Sequence, residues 1–316
     1  MCCLFGILDH SNALPYAAKK YILKVLSEEC EVRGTDATGI SYNSHGTMKI
    51  YKRPVEASKL RLRPSHDAKV IMGHTRMTTK GNERRNYNNH PFIGYVGGVT
   101  FSLAHNGVLY NDEMLRKAYG LPDTKIETDS YIAVQLIEDA GNLDMDSIQQ
   151  MAEAVHRTFC FTILSSQNEM YLVKGNNPLE MYDCGGYYIY ASTDEILQNV
   201  FKRLRITGQK HIELKAGTIT QIHADGSMEA RAFSMYDDME EYCFGSNYHF
   251  SFPEVSDDSQ IEQLMEYASF FGIDEEDILL LYDYGFDEAE IEELLYDPIA
   301  MQDIISEYRI FDRRMG

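Results

Sequence analysis

The chain opens Met-Cys-Cys-Leu-Phe-Gly-Ile-Leu, and Cys2 is the first residue able to carry chemistry of its own. Removal of Met1 gives Cys2 a free α-amine with a pKa of about 8, much nearer neutrality than the ammonium of a lysine side chain. One residue then supplies both a nucleophilic thiol and the base that takes its proton, directly or through a water, and returns it to a leaving group. Chain ends fray unless a sheet holds them, so this chemistry requires the apolar run from Leu4 to Leu8 to be a strand. Taken alone, a cysteine at position 2 is more often incidental than catalytic.

Five later stretches bear on that choice: RGTDATG at 33–39, GHTRMTTKG at 73–81, NNHPF at 88–92, LAHNGVLYN at 103–111 and ETDSY at 127–131. Each has a bland local reading. Asn106-Gly107 favours a type I′ turn, Asp129 ahead of an apolar run favours a helix N-cap, Arg33 to Asp36 favours a turn with an ion pair, and a lone histidine such as His90 is commonly structural. In this order after MCCLFGI, however, the set resembles the class II glutamine amidotransferase domain. That family of N-terminal-nucleophile enzymes hydrolyses the glutamine side-chain amide and supplies ammonia. The resemblance runs over roughly 2–235 and includes NNPLEMY and YIYASTDE.

The resemblance implies a role for each matching residue. Cys2 attacks the amide carbonyl and forms a thioester, and the Asn106 side chain with the Gly107 N–H forms the oxyanion hole. Arg76 grips the α-carboxylate, for which a planar guanidinium is well shaped, and Asp129 meets the α-ammonium. Thr79 and His90 line the glutamine site, and Arg33, Gly34, Asp36 and Gly39 belong to a segment that closes it. No metal or cofactor is implied. The sequence departs from the family where Cys3 replaces a common Gly, Met77 a Trp and Lys80 a His. Three classes of function follow: a glutamine amidohydrolase or amidotransferase subunit, a related hydrolase of another amide, and a non-catalytic binding module on the same fold. Arg76 and Asp129 together suit a free amino acid and favour the first.

These residues need rigid elements to place them. Apolar runs predict strands at CCLFGIL, TGISYN, TMKIYK, AKVIMGHT, GVTFSLAHN, TFCFTILSS, EMYLVKG, GYYIYAS, GTITQIH and MEARAFS. Helical spacing predicts helices at PYAAKKYILKVLSEE, with Pro15 in the first turn, at about 129–139, around Ile148 to Val155, and at DEILQNVFKRL. Clustered strands with grouped helices predict an α+β fold. The resemblance makes it a four-layer αββα sandwich.

Charge divides the chain further. The formal net charge is −20, and 254–316 holds 19 acidic against 3 basic residues. Three acid-led patterns there predict short helices. The expected organisation is a domain at 2–235, a linker at 236–256 and an acidic helical appendage at 257–316. Clustered Lys and Arg for phosphate binding are missing from that segment, which excludes nucleic acid as its partner, and the short KGNERRNYNNH stretch reads as a solvated loop. The opening apolar run is too short for a signal peptide or a membrane span. Six dispersed cysteines fit neither a disulfide scaffold nor metal spacing, so reduced thiols and a cytoplasmic location are expected. The expected partners are L-glutamine and an ammonia-accepting synthase. The resemblance implies a stand-alone form, without the isomerase or phosphoribosyltransferase domains that elsewhere accompany this one.

Overall fold

A computed structural model of the chain describes residues 2–235 and 273–283, with single positions at 291, 301, 304, 305 and 309. The backbone divides into two compact units, Met1–Cys243 and Phe244–Gly316. In chain order the first unit contains β1 (Cys3–Leu8), α1 (Tyr16–Glu29), β2 (Ala37–Ser44), β3 (Thr47–Arg53), β4 (Val70–Arg76), β5 (Phe92–Val96) and β6 (Val99–Leu109). Then come α2 (Asp112–Ala118), α3 (Tyr131–Ala140), α4 (Met145–Ala154), β7 (Arg157–Ser165), β8 (Met170–Lys174), β9 (Glu180–Asp183) and β10 (Tyr188–Ala191). It closes with α5 (Asp194–Leu204), β11 (Lys210–Ile212), β12 (Thr218–Ile222) and β13 (Met228–Ala232).

The strands form two antiparallel sheets. One is seven-stranded in the order β11-β9-β10-β1-β4-β2-β3, and the other is six-stranded in the order β13-β12-β8-β7-β6-β5. β1 lies inside its sheet between β10 and β4, with Cys3 opposite Thr75 and Leu8 opposite Val70. All six of its residues are buried, because both of its faces are covered. Leu4 and Leu8 join Met72, Ala104, Cys160, Leu164 and Leu172 in a core between the two sheets. Cys3, Phe5 and Ile7 point the other way, into a core with Ile22 and Leu26 of α1 and Leu197 and Phe201 of α5. On the far side, Ile132 and Leu136 of α3 and Ile148 and Met151 of α4 pack on Phe161, Ile163 and Val173. The order is therefore helices, sheet, sheet, helices. Each large apolar side chain so buried contributes on the order of 2 kcal/mol of transfer free energy.

Local chemistry fixes the ends of several elements. Asp144 caps α4 by accepting from the backbone N–H of Asp146 and Ser147, and the Ser147 hydroxyl reciprocates to the Asp144 N–H at 3.1 Å. Pro15 is the N-cap of α1 with extended backbone, one place ahead of the first turn where its sequence position put it. Asn106-Gly107 makes no turn. Both residues lie inside β6, paired with Cys160 and Phe159, and the β5–β6 hairpin turns instead at Gly97-Gly98, both at positive φ. Short strands β5, β9 and β11 and helix α2 have no counterpart among the expected elements.

In the second unit, the helix expected at DEEDILLLYDYG is present as α6 (Glu275–Asp283), with Ile278 and Leu281 buried. The other two acid-led patterns and the 236–256 linker lie outside the described residues. No described helix is long and apolar enough to cross a membrane.

Candidate active site

The register of β1 against β4 places Cys2 beside the last residues of β4. Cys2 Sγ lies 3.4 Å from the backbone N of Met77, from which it accepts, and 3.4 Å from the Met77 carbonyl oxygen, to which the thiol can donate. The Cys2 carbonyl accepts from Arg33 Nε at 3.0 Å. Burial pushes the thiol pKa up, and the charge of Asp129 adds to the rise; the Met77 N–H, the amino terminus and Arg76 oppose it. Near neutral pH the sulfur therefore holds its proton, and any nucleophilic role needs a base at hand. The segment after Arg33 reaches the same place. The Asp36 carboxylate accepts from the Thr78 N–H at 2.7 Å, while the Asp36 N–H donates to the Arg76 carbonyl at 2.9 Å.

Arg76 ends β4 and is 3% exposed. Its Nη1 donates to the Asn88 carbonyl at 2.9 Å and to Asn89 Oδ1 at 2.7 Å, and its Nη2 to the carbonyls of Lys80 at 2.6 Å and Gly81 at 3.3 Å. All four acceptors are neutral, and among the described residues Arg76 has no ion-pair partner. Burial lowers its pKa, opposed by the charges of Cys2, Glu83, Asp36 and Asp129. The acceptors come from the 80–89 loop, whose polar sequence predicts solvent exposure throughout. Arg84 and Arg85 are exposed, but the loop turns inward so that Asn88, Asn89 and His90 are buried. Asn88 Nδ2 ties this turn to Glu127 Oε2 at 2.7 Å.

On the facing sheet, Asn106 is fully buried, and neither its side-chain nitrogen nor its oxygen has a hydrogen-bond partner among the described residues. Its main-chain carbonyl accepts from Asn177 Nδ2 at 2.9 Å. Gly107 adopts φ +147°, and a Cβ there would sit 2.0 Å from the Thr158 carbonyl, so the position admits only glycine. Asp129 is buried and does not cap α3, whose N-cap is Ser130 without a side-chain bond. Instead its Oδ2 accepts from the Leu109 N–H at 2.6 Å, tying the carboxylate to β6.

Three buried histidines join the two sheets at this level. His74 Nε2 is 3.0 Å from the His105 carbonyl, linking β4 to the residue before Asn106, and His105 Nδ1 is 2.8 Å from Ser130 Oγ. The His90 ring lies tilted against that of His74 with centroids 4.2 Å apart, and neither of its nitrogens has a hydrogen-bond partner among the described residues. Burial draws His74 down to about 3, His105 to about 4 and His90 well below its ordinary range, so all three are neutral at pH 7.

Cys2, Arg33, Asp36 and Arg76 are thus brought together by direct hydrogen bonds and one strand register, and Asn106, Gly107 and Asp129 by β6. The His74–His105 bond connects the two groups. Thr79 is exposed and makes no hydrogen bond in the described structure. The sequence reading passed over His74 and His105, although they stand inside the GHTR and AHNG stretches. It also passed over Lys52, which donates to the Asn89 and Pro91 carbonyls and is lowered to about 8 by burial and by Arg76; nothing in its strand sequence marks it. Among the described residues no three His, Cys, Asp or Glu side chains form a cation site.

No family model matches the chain. Over 231 residues it is 28% identical to glutamine–fructose-6-phosphate aminotransferase [isomerizing] of Bacillus cereus, which covers 68% of this chain and 37% of the relative. The same enzyme of Staphylococcus epidermidis is 29% identical over 243 residues, covering 73% and 39%. The chain therefore spans less than two fifths of the length of these curated relatives. Among solved structures, glutamine phosphoribosylpyrophosphate amidotransferase from B. subtilis superposes with a TM-score of 0.59 at 21% identity, over 84% of this chain and 58% of that one. That likeness is one of fold.

Proposed function

We propose, for a chain related in sequence to the class II glutamine amidotransferases and sharing their layered fold, that it hydrolyses the side-chain amide of L-glutamine to glutamate and ammonia. One observation carries the reading. Among the described residues, a thiol near the chain's start lies beside a buried guanidinium that has no carboxylate partner, and the strand linked to them holds a buried amide that has no hydrogen-bond partner.

The chemistry follows from these groups. With Met1 removed, the Cys2 α-amine takes the proton that burial keeps on the sulfur. Sγ then attacks the amide carbon, and the oxyanion so formed receives the Asn106 side-chain N–H and the Gly107 backbone N–H. Collapse breaks the C–N bond, and the α-ammonium returns the proton to the departing ammonia. Water, deprotonated by the same amine, attacks the thioester; the C–S bond breaks, glutamate leaves and the thiol is restored. Arg76 takes the substrate α-carboxylate and Asp129 the α-ammonium, which selects a free amino acid over an internal peptide amide. Thr79 and His90 line the bound side chain. Arg33 and Asp36 brace Cys2 and the 77–78 turn, and this segment closes over the substrate.

On this reading residues 2–235 are the catalytic domain, with 236–256 proposed as a linker and 257–316 as an acidic helical appendage. The ammonia passes to a synthase partner or another acceptor. The thiol chemistry suits the cytoplasm. The test is glutaminase turnover of protein whose intact mass establishes loss of Met1, set against Cys2→Ala, with an electrophilic glutamine analogue to label the nucleophile. Labelling confined to Cys2 and loss of turnover in the variant are expected. Full activity with Met1 retained, or labelling of another residue, overturns the reading.

A further inference from the structure

Away from the candidate active site, the solvent face of α1 carries Lys20, Tyr21, Lys24 and Glu28 at spacings that align them along one side of a helix. Beside it runs the extended stretch Leu60-Arg61-Leu62-Arg63. Its alternation buries Leu62 and turns Arg61 and Arg63 outward. Helix face and stretch together line a surface cavity of about 440 Å³, within the range typical of small-molecule sites.

The cavity is out of keeping with the chain around it. Residues 1–253 are close to balance, with 26 basic against 30 acidic residues, yet four cations and one carboxylate line it. The carboxylate is already engaged, since Glu28 pairs with Lys24 and with Arg203. Arg61 and Arg63 have no ion-pair partner among the described residues, and the Lys20 ammonium rests 4.8 Å over the Tyr16 ring. Two guanidiniums two residues apart on this stretch, without ion-pair partners among the described residues, offer two forks to neighbouring anionic groups, each able to bind phosphate bidentately. Tyr21, 58% exposed, adds an aromatic wall.

We infer that this cavity is a binding site for an anion carrying two adjacent phosphate groups, gripped by Arg61 and Arg63 and flanked by Lys20 and Lys24. The shared chemistry is the diphosphate, free or on an organic carrier whose ring lies against Tyr21. Titration calorimetry of the full chain with inorganic pyrophosphate and with uridine diphosphate, in about 0.15 M salt to screen diffuse attraction, tests it by binding alone. The outcome is thus independent of glutaminase activity. Saturable binding of one anion per chain is expected, with a Kd on the order of 0.1 mM. R61E/R63E should weaken it by at least about tenfold, or roughly 1.4 kcal/mol, and the equal charge change K49E/K215E, at exposed lysines outside the cavity, should leave it within about twofold. Tighter binding of uridine diphosphate than of pyrophosphate identifies an organic carrier; equal binding identifies the free anion. Circular dichroism verifies that the variants are folded. Absence of saturable binding, or equal weakening by both double variants, overturns the inference.

Discussion

Arg76 and Asn106 are buried to the same degree and built on opposite plans. The guanidinium at the end of β4 is held by four oxygens of its own chain, whereas the amide on β6 is held by none among the described residues. A cation removed from water demands partners, and neutral oxygens fix its position without cancelling its charge. A buried amide without partners costs about 1–3 kcal/mol, which a fold of this size tolerates at a functional position. On the proposed reaction the difference has a reason. The half that recognises a permanent carboxylate is organised before substrate arrives, and the half that meets a charge existing only in the transition state keeps its donors unsatisfied until then.

Substitutions should separate the two halves. Cys2→Ala removes the group both halves serve, and turnover should fall by at least about 1,000-fold with the fold intact. Asn106→Ala should lower kcat by about 100- to 1,000-fold with KM nearly unchanged, because its donor acts on the oxyanion alone. Arg76→Lys gives up the Nη hydrogen bonds that hold the buried cation in place for the α-carboxylate and should raise KM by about 10- to 100-fold with a smaller change in kcat. Steady-state kinetics of the three variants measures all of this. If Asn106→Ala raised KM as Arg76→Lys does, the contrast between the halves would be lost.

The sequence disclosed the two halves unequally. β1 is an apolar run, and β4 and β6 each carry enough apolar residues over seven and eleven positions to be conspicuous as strands. β9 and β11 are four and three residues long, below the length at which alternation can be distinguished from chance. Local propensity pointed away from the role of Asn106-Gly107, since the pair suits a turn; the tertiary pairing of β6 with β7 overrides it. Asp129 likewise looked like a helix cap, and a hydrogen bond from Leu109, twenty residues away, claims its carboxylate instead. The loop that cradles Arg76 reads as polar and solvated because its buried asparagines are polar; their partners are backbone groups, the Glu127 carboxylate and a guanidinium, which composition does not reveal.

Where the two halves meet, buried neutral histidines make their junction sensitive to acid. The unfolded chain binds protons at these residues below pH 6.5, while folded His74, held down to about 3, does not. A base with a depressed folded pKa contributes stability that is present above the unfolded value and lost as pH falls toward the folded one. Between pH 7 and pH 5 each such histidine should therefore cost about 2 kcal/mol. Urea unfolding of wild type and His74→Gln at both pH values checks this. The variant should lose about 2 kcal/mol less than wild type over the interval, and equal losses would mean that His74 is protonated in the folded protein.

The smallest effect belongs to the side chain of Lys80, a position where the family commonly has His. Its ammonium pairs with Asp112 at 3.0 Å in the first turn of α2, but it is 45% exposed, so solvent screens the pair. The helix dipole also favours Asp112 where it stands. Lys80→Met should cost less than about 1 kcal/mol in urea unfolding. Its backbone carbonyl, 2.6 Å from Arg76 Nη2, survives the substitution, so the KM for glutamine should stay within about twofold. A rise in KM approaching that of Arg76→Lys would show that the grip on the guanidinium depends on a surface ion pair, and that the recognising half is less firmly built than its four hydrogen bonds imply.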